Sequence, residues 1–125
     1  IVGSGGANDI ATASRQTVVV AQQGKGQFVR GVEHVTCPGE RIRCVVTTKG
    51  RFEKNDAGEL VLTGCMAKPG DNEEASVRRI KDLVDWDLQV SPAIERLEPP
   101  GDDDLLLLRA YDSERFFIGK IPKAE

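Results

Sequence analysis

The chain has 125 residues, of which 39% are apolar, 5% aromatic and 30% charged, and its formal net charge is −3. This length fits one domain, since single cores usually comprise about 100–200 residues. The longest basic cluster is only Arg78, Arg79 and Lys81, which argues against a nucleic-acid partner. The longest apolar runs, 17–21 and 105–108, are much shorter than the roughly 20 residues of a membrane helix, so no membrane partner is expected.

The first residues predict a strand end, a glycine-rich loop and a short helix. Asp9 is the expected N-cap of a helix over 10–15. Residues 17–21 are β-branched and apolar at successive positions, which predicts a central strand covered on both faces. Residues 32–36 predict a further short strand that ends at the turn Cys37-Pro38-Gly39.

The middle of the chain predicts a β-meander. Residues 41–48 form an expected strand, Lys49-Gly50 an expected turn, and a second strand starts at Arg51. The turn 55–58 then leads into a third strand over 59–65. We expect these three strands to be antiparallel neighbours.

Two helices are expected after the meander. Asn72 is a candidate N-cap, and Val77, Ile80, Leu83 and Val84 follow it at helical spacing on one face. A short strand over 88–90 is expected to end at Ser91-Pro92, and a last helix is predicted over 102–111. Together the elements predict an α/β domain over residues 1–125, in which a sheet with an antiparallel meander is flanked by helices.

The glycine-rich loop is the candidate binding site. It consists of small residues: Gly3, Ser4, Gly5, Gly6, Ala7 and Asn8. Such a loop lets backbone amides approach a ligand, and the helix that follows adds positive potential for an anion or oxyanion. The loop does not match the dinucleotide-binding pattern, because Asn8 occupies the position of the third glycine. A purely structural tight turn remains the alternative.

Histidine and cysteine are too sparse to predict a metal site or a nucleophile. His34 and Cys37 form H-x-x-C, but Cys44 and Cys65 add no close C-x-x-C pair. No motif for an orienting acid and no G-x-S-x-G elbow is present. Three cysteines at irregular spacing instead predict reduced thiols in a cytoplasmic protein.

The order of several motifs resembles the β subunit of family I CoA-transferases, in particular the glutaconate CoA-transferase branch. That branch also includes the CoA-thioester ring hydrolases of actinobacterial steroid degradation. The resemblance depends on segments in the following order: 3–10, 18–20, 28–29, 32–36 with Cys37-Pro38-Gly39, and 80–92. Cys37 departs from the serine expected before Pro-Gly in this branch, which weakens a hydrogen-bonding role for this position.

The resemblance implies an open α/β fold with a largely parallel central sheet and added antiparallel strands, and an α subunit as partner in a hetero-oligomer. It implies a β subunit about twice as long as this chain, so residues 1–125 would be its C-terminal half. The start at Ile1-Val2-Gly3, without a Met, also suggests a strand whose beginning is missing. The catalytic glutamate would lie in the missing N-terminal half.

For the chemistry, the resemblance implies an acyl-CoA as substrate, with no permanently bound cofactor. The glycine loop would line the acyl-CoA cleft, and its amides would contact a thioester oxygen or a carboxylate. Three hypotheses stay open: a CoA-transferase subunit, a subunit of a ring-opening CoA-thioester hydrolase, and a catalytically silent fragment. We expect residues 1–125 alone to show no acyl-CoA turnover.

Overall fold

The computed structural model describes residues 5–66 and 70–116. Its centre is one mixed sheet of five strands, and helices accompany this sheet. The elements, in chain order, are α1 Gly6–Ala13, β1 Thr17–Ala21, β2 Ile42–Thr47, β3 Gly50–Lys54, β4 Leu60–Met66, α2 Glu73–Lys81, β5 Gln89–Leu97 and α3 Asp102–Tyr111. The predicted α/β class is therefore confirmed.

The strands are ordered β1-β2-β3-β4-β5 across the sheet. β2, β3 and β4 pair in antiparallel fashion, which confirms the predicted meander, while β1 lies parallel to β2 and β5 parallel to β4. Among these strands β3 alone runs against the other four. The carboxyl ends of β1, β2, β4 and β5 therefore meet at the same edge of the sheet, where ligands bind in open α/β folds.

The core lies between α2 and one face of β2–β5. Phe52 and Leu62 are completely buried at its centre, and the Phe28 ring stacks on Phe52 at a centroid distance of 5.7 Å. The buried apolar set consists of Val45, Phe52, Leu62, Cys65, Ile80 and Leu88. The burial of Cys65 agrees with its position in a strand pattern where a small apolar residue is expected.

Helix α2 follows its sequence signals closely. Asn72 is its N-cap, and the Asn72 Oδ1 atom accepts a hydrogen bond of 2.8 Å from the Ala75 amide. Ile80 is buried in the core, and Val77 and Val84 pack against the same cluster. Val77 and Ile80 of the predicted apolar face therefore contact the core, whereas Leu83 and Val84 lie beyond the end of the helix at Lys81.

Strand β1 differs from the expectation of a central strand. It lies at the edge of the sheet, and Val18 and Val20 on its outer face are 60% and 82% exposed. Val19, between them, packs against the core cluster. The prediction that both faces are covered is wrong for this chain, because no described element packs on the outer face.

The expected strand over 32–36 does not form. The residues from 22 to 41 form an irregular crossover between the parallel strands β1 and β2, and Val32 and Val35 are exposed. Residues 32–36 pair with no strand of the described sheet. Phe28 makes an isolated bridge from this segment to Val84.

Helix α1 starts a turn earlier than predicted. Its N-cap is Gly5, which has no side chain to cap the helix, and Asp9 lies within the first turn. The prediction of Asp9 as N-cap is therefore wrong. Gly5 has φ 49°, a left-handed conformation that glycine adopts without strain, and this fixes the helix start.

Strand β5 continues beyond the expected stop at Ser91-Pro92 and ends at Leu97. The edge position of β5 tolerates the proline, and the pairing with β4 is irregular there. Helix α3 has the predicted bounds, and the Gly101 amide donates to Asp104 Oδ2 at 3.0 Å. Leu106 and Leu107 remain exposed. Within the described ranges, every helix is too short or too polar to cross a bilayer.

Candidate functional site

The glycine loop lies at the amino end of α1. Gly5, Gly6, Ala7 and Asn8 are all exposed, while Gly3 and Ser4 lie outside the described residues. The Asn8 amide donates to Gly5 O at 3.1 Å. In the described part of the chain, no hydrogen bond is found from the Gly6 and Ala7 amides, as expected for the first residues of a helix.

The backbone conformation explains why glycine suits the start of this loop. Gly5 has φ 49° and ψ −130°. A Cβ atom at position 5 would meet no heavy atom of the described residues within 4 Å. Glycine is therefore favoured here by the backbone conformation and not by a lack of room for a side chain.

One segment of the crossover holds α1 at both ends. The Cys37 thiol lies 3.6 Å from Ala7 O, within reach of a weak S–H···O bond. The Arg41 guanidinium donates through Nη1 to Ser14 O at 2.8 Å, just after the helix. Position 37 therefore does contact the loop, although the thiol is a weaker donor than the serine hydroxyl expected there.

A cavity of about 470 Å³ lies at the sheet edge where β2 and β4 end. Its walls come from the β2–β3 turn, the end of β4 and one side of α2: Thr48, Lys49, Met66, Ser76, Arg79, Ile80, Asp82 and Leu83. The cavity combines an apolar floor with both charge signs. The loop residues Gly5 to Asn8 do not line it.

No local motif in the sequence singled out this cavity. The sequence indicated the cavity only indirectly, because Lys49-Gly50 follows β2. The carboxyl ends of strands that run in the same direction lie at one edge of the sheet. Arg79 is fixed on its wall by an ion pair with Asp71 at 2.5 Å and a bond of 3.3 Å to Ser76 Oγ. The hydrogen bond to Asp71 raises the pKa of the Arg79 guanidinium, which keeps it charged.

A buried polar network connects the end of β1 with the β2–β3 turn. The Thr47 hydroxyl accepts hydrogen bonds from the Gly50 and Lys49 amides, at 2.9 and 3.1 Å, and lies 2.9 Å from Gln23 Oε1. Gln23 is buried, and its Nε2 atom has no partner among the described residues. The Thr17 hydroxyl, at the other end of β1, is likewise buried with no partner in the described ranges.

The cysteines and the histidine do not gather into one site. No group of three or more His, Cys, Asp or Glu side chains suited to a metal ion occurs within 5–66 and 70–116. Burial is the main factor that raises the pKa of the Cys44 and Cys65 thiols, and both are therefore protonated at neutral pH. His34 lies exposed on the crossover.

Comparison with known proteins shows what the chain is similar to. No protein-family profile matches the chain. The chain is 30% identical, over 123 aligned residues, to the β subunit of glutaconate CoA-transferase from Acidaminococcus fermentans. This alignment covers 86% of the chain and 44% of the relative.

Comparison with solved structures agrees with the sequence comparison. The glutaconate coenzyme A-transferase of Acidaminococcus fermentans superposes with a TM-score of 0.73 at 26% identity, covering 98% of this chain and 50% of the other. The decarboxylase AibA/AibB shares the fold, with a TM-score of 0.69 at 22% identity. This superposition covers 91% of the present chain and 45% of the decarboxylase chain. The chain thus spans about half the length of the proteins it matches.

The mixed sheet and the similarity in sequence together show which class of protein the chain resembles. In sequence and fold the chain is like the β subunit of family I CoA-transferases, and the β subunit of glutaconate CoA-transferase is a homologue. The resemblance inferred from the motif order is confirmed.

Proposed function

We propose that the chain is part of a β subunit that moves CoA between carboxylic acids. The observation that carries this proposal is the 30% identity to the glutaconate CoA-transferase β subunit along 86% of the chain. The catalytic glutamate is proposed to lie outside this chain. An acyl-CoA is the substrate, and no permanently bound cofactor takes part.

In the proposed reaction the glutamate carboxylate attacks the acyl-CoA carbonyl and releases CoA thiolate, which leaves an acyl anhydride on the enzyme. The thiolate then attacks the glutamyl carbonyl, which releases the first acid and forms an enzyme–CoA thioester. A second carboxylate then attacks the glutamyl–CoA thioester, which forms a new anhydride and releases CoA thiolate. This thiolate attacks the new acyl carbonyl, so that the second acid leaves as its CoA thioester and the glutamate is free again. Covalent catalysis of this kind divides one difficult exchange into easier ones.

The glycine loop is proposed to line the acyl-CoA site through Gly3, Ser4, Gly5, Gly6, Ala7 and Asn8. Each attack on a thioester or anhydride carbonyl creates an oxyanion. The Gly6 and Ala7 amides, which have no partner among the described residues, are suited to stabilise it. The exposed position of the loop and the open space beside Gly5 support access by a substrate.

The partners are proposed to be the remaining half of the β subunit and an α subunit, in the cytoplasm. Several features of β1 support a docking surface for the remaining half. β1 is an edge strand, and Val18 and Val20 are exposed on its outer face.

Borohydride reduction tests the covalent mechanism. The complete subunit, assembled with its α partner, is incubated with acyl-CoA and sodium borohydride, and CoA transfer is then assayed. A transferase loses activity, because reduction converts the glutamyl–CoA thioester to an alcohol. If acyl-CoA hydrolysis is present and unaffected by borohydride, the ring-opening hydrolase is the correct function instead.

Substitution of Gly5 tests the loop. We expect Gly5→Val to lower kcat on the order of 100-fold in the same complex, because a β-branched residue at φ 49° displaces the amides beside it. Gly31→Val is the matched control, since Gly31 is exposed, has open space around it and has no positive φ. Equal activity of both variants in folded complexes would show that the loop is only a turn.

A further inference from the structure

Helix α1 has little apolar packing of its own. Ala11 is its only buried residue, whereas α2 buries Ser76 and Ile80. A helix with few buried contacts opens at low cost in free energy. The position of the amino end of α1, and therefore of the glycine loop, depends largely on specific polar contacts.

These contacts come from one segment, Cys37–Arg41, which we name the clamp. At the amino end of α1 the Cys37 Sγ atom lies 3.6 Å from Ala7 O. Just beyond the carboxyl end, Arg41 Nη1 donates to Ser14 O at 2.8 Å. The Arg41 carbonyl also accepts from the Thr17 amide at 2.8 Å, where β1 begins beside β2.

The clamp is anchored on the rigid part of the sheet. The Ile42 amide donates to Gly39 O at 3.2 Å, and the same carbonyl accepts from Lys54 Nζ at 2.6 Å. Ile42 is the first residue of β2 and Lys54 the last of β3. The meander thereby sets the position of the clamp, and the clamp sets the position of α1.

We propose that Arg41 and Cys37 are positioning residues for the glycine loop: they hold α1 so that its first amides keep their place in the acyl-CoA site. This inference rests on the proposed function and deepens it. Neither side chain touches the substrate. Both act through the helix, Arg41 from the carboxyl end and Cys37 directly beside the loop.

Hydrogen–deuterium exchange of the complete subunit tests the clamp without any assay of activity. In Arg41→Ala the backbone bond to Thr17 remains and only the guanidinium is lost. We expect the hydrogen-bonded amides of residues 8–13 to exchange about three- to tenfold faster, while those of β2 and β4 keep their rates. Arg43→Ala is the matched control, since Arg43 is an exposed arginine of β2 without a hydrogen bond to α1 in the described part of the chain. Unchanged exchange in Arg41→Ala overturns the clamp.

Kinetics of the assembled complex test its link to the site. A displaced oxyanion donor lowers transition-state stabilisation, so kcat is expected to fall about tenfold in Arg41→Ala with little change in the KM for acyl-CoA. Arg41→Lys, which keeps a cationic donor, is expected to recover most of the loss. Cys37→Ser is expected to retain kcat and Cys37→Ala to lower it.

The possible outcomes separate the two proposals. Faster exchange of α1 together with unchanged kcat overturns the positioning role, even if the contact itself is real. A complex of the unsubstituted subunit that never transfers CoA overturns the proposed function, while the exchange result still decides whether the clamp holds α1. A fall in kcat for Arg43→Ala equal to that for Arg41→Ala also overturns the inference.

Discussion

Two regions of the molecule are built very differently. The meander half consists of β2–β4 with α2, and the other half is formed by α1, β1 and the crossover. In the first, Phe52 and Leu62 are completely buried, and neighbouring strands follow each other with short turns. In the second, Val20 is 82% exposed and the connection of two parallel strands has no helix. Stability is therefore concentrated in the meander half, whereas the candidate binding loop belongs to the other half.

This difference shows how a candidate binding loop can be held in place by a more stable region of the same chain. Binding loops are commonly found in parts of low local stability, positioned by a rigid scaffold. Here the scaffold is the meander, and the exposed half presents the loop. The comparison can be tested by substitutions that should affect the two halves unequally.

The largest effect is expected for Phe52→Ala. Removal of this buried ring leaves a cavity under Phe28 and is expected to lower the free energy of unfolding by about 3–5 kcal/mol, measured by urea denaturation. Phe116→Ala is the control, because Phe116 is 82% exposed and should change the free energy by less than about 0.5 kcal/mol. Equal costs would show that Phe52 is not at the centre of the core.

A smaller loss is expected for Gly50→Ala. The new Cβ would lie 2.6 Å from Gly64 O and 3.2 Å from Ile80 Cδ1, so the strands must shift. Overpacking of this kind typically costs about 1–3 kcal/mol. Gly31→Ala, in the crossover, meets no atom within 4 Å and should be neutral. If thermal denaturation gave the same midpoint for both variants, the tight packing of β3 on β4 would be disproved.

A loss of about 1 kcal/mol is expected for Asn72→Ala, since the Ala75 amide loses its 2.8 Å bond. Asn72→Asp should keep most of the stability, because aspartate is an equally good N-cap. Asp9→Ala in α1 should have a smaller effect, because Asp9 does not cap that helix. Chemical denaturation of the three variants decides this, and a larger loss for Asp9→Ala would contradict the observed start of α1.

The smallest effect is expected for Val20→Ala. On its exposed face the truncation should cost less than about 0.5 kcal/mol, whereas Val45→Ala in the core should cost clearly more. Urea titrations of both variants of the purified chain provide the test. A loss for Val20→Ala as large as that for Val45→Ala would mean that the outer face of β1 is covered after all.

Local signals in the sequence were sufficient for much of the meander half. Asn72 and the apolar spacing of Val77 and Ile80 predicted α2, since capping and periodicity act within one element. The turns around Lys49-Gly50 and 55–58 predicted which strands are neighbours, because short connections force antiparallel pairing.

The other half was less predictable because its structure depends on distant partners. The run 17–21 indicated a strand, but a strand's sequence does not state which of its faces is covered in a given chain. Residues 32–36 indicated a short strand, but strand formation needs a partner, and this segment pairs with none of the described strands. Pro92 was expected to end β5, yet an irregular register at the sheet edge accommodates it. The cavity beside Lys49 depends on tertiary assembly of three elements, which no local motif encodes.

The irregular pairing of β5 has a consequence for how the sheet can grow. Its register with β4 jumps from Val90 to Glu95, and Pro92 within this stretch has no amide to donate. Such interruptions protect an exposed edge against unwanted pairing with other strands. β1 carries no proline, so every residue of this opposite border of the described sheet has a main-chain amide. An additional strand is therefore better matched by the β1 border than by the β5 border of the described sheet.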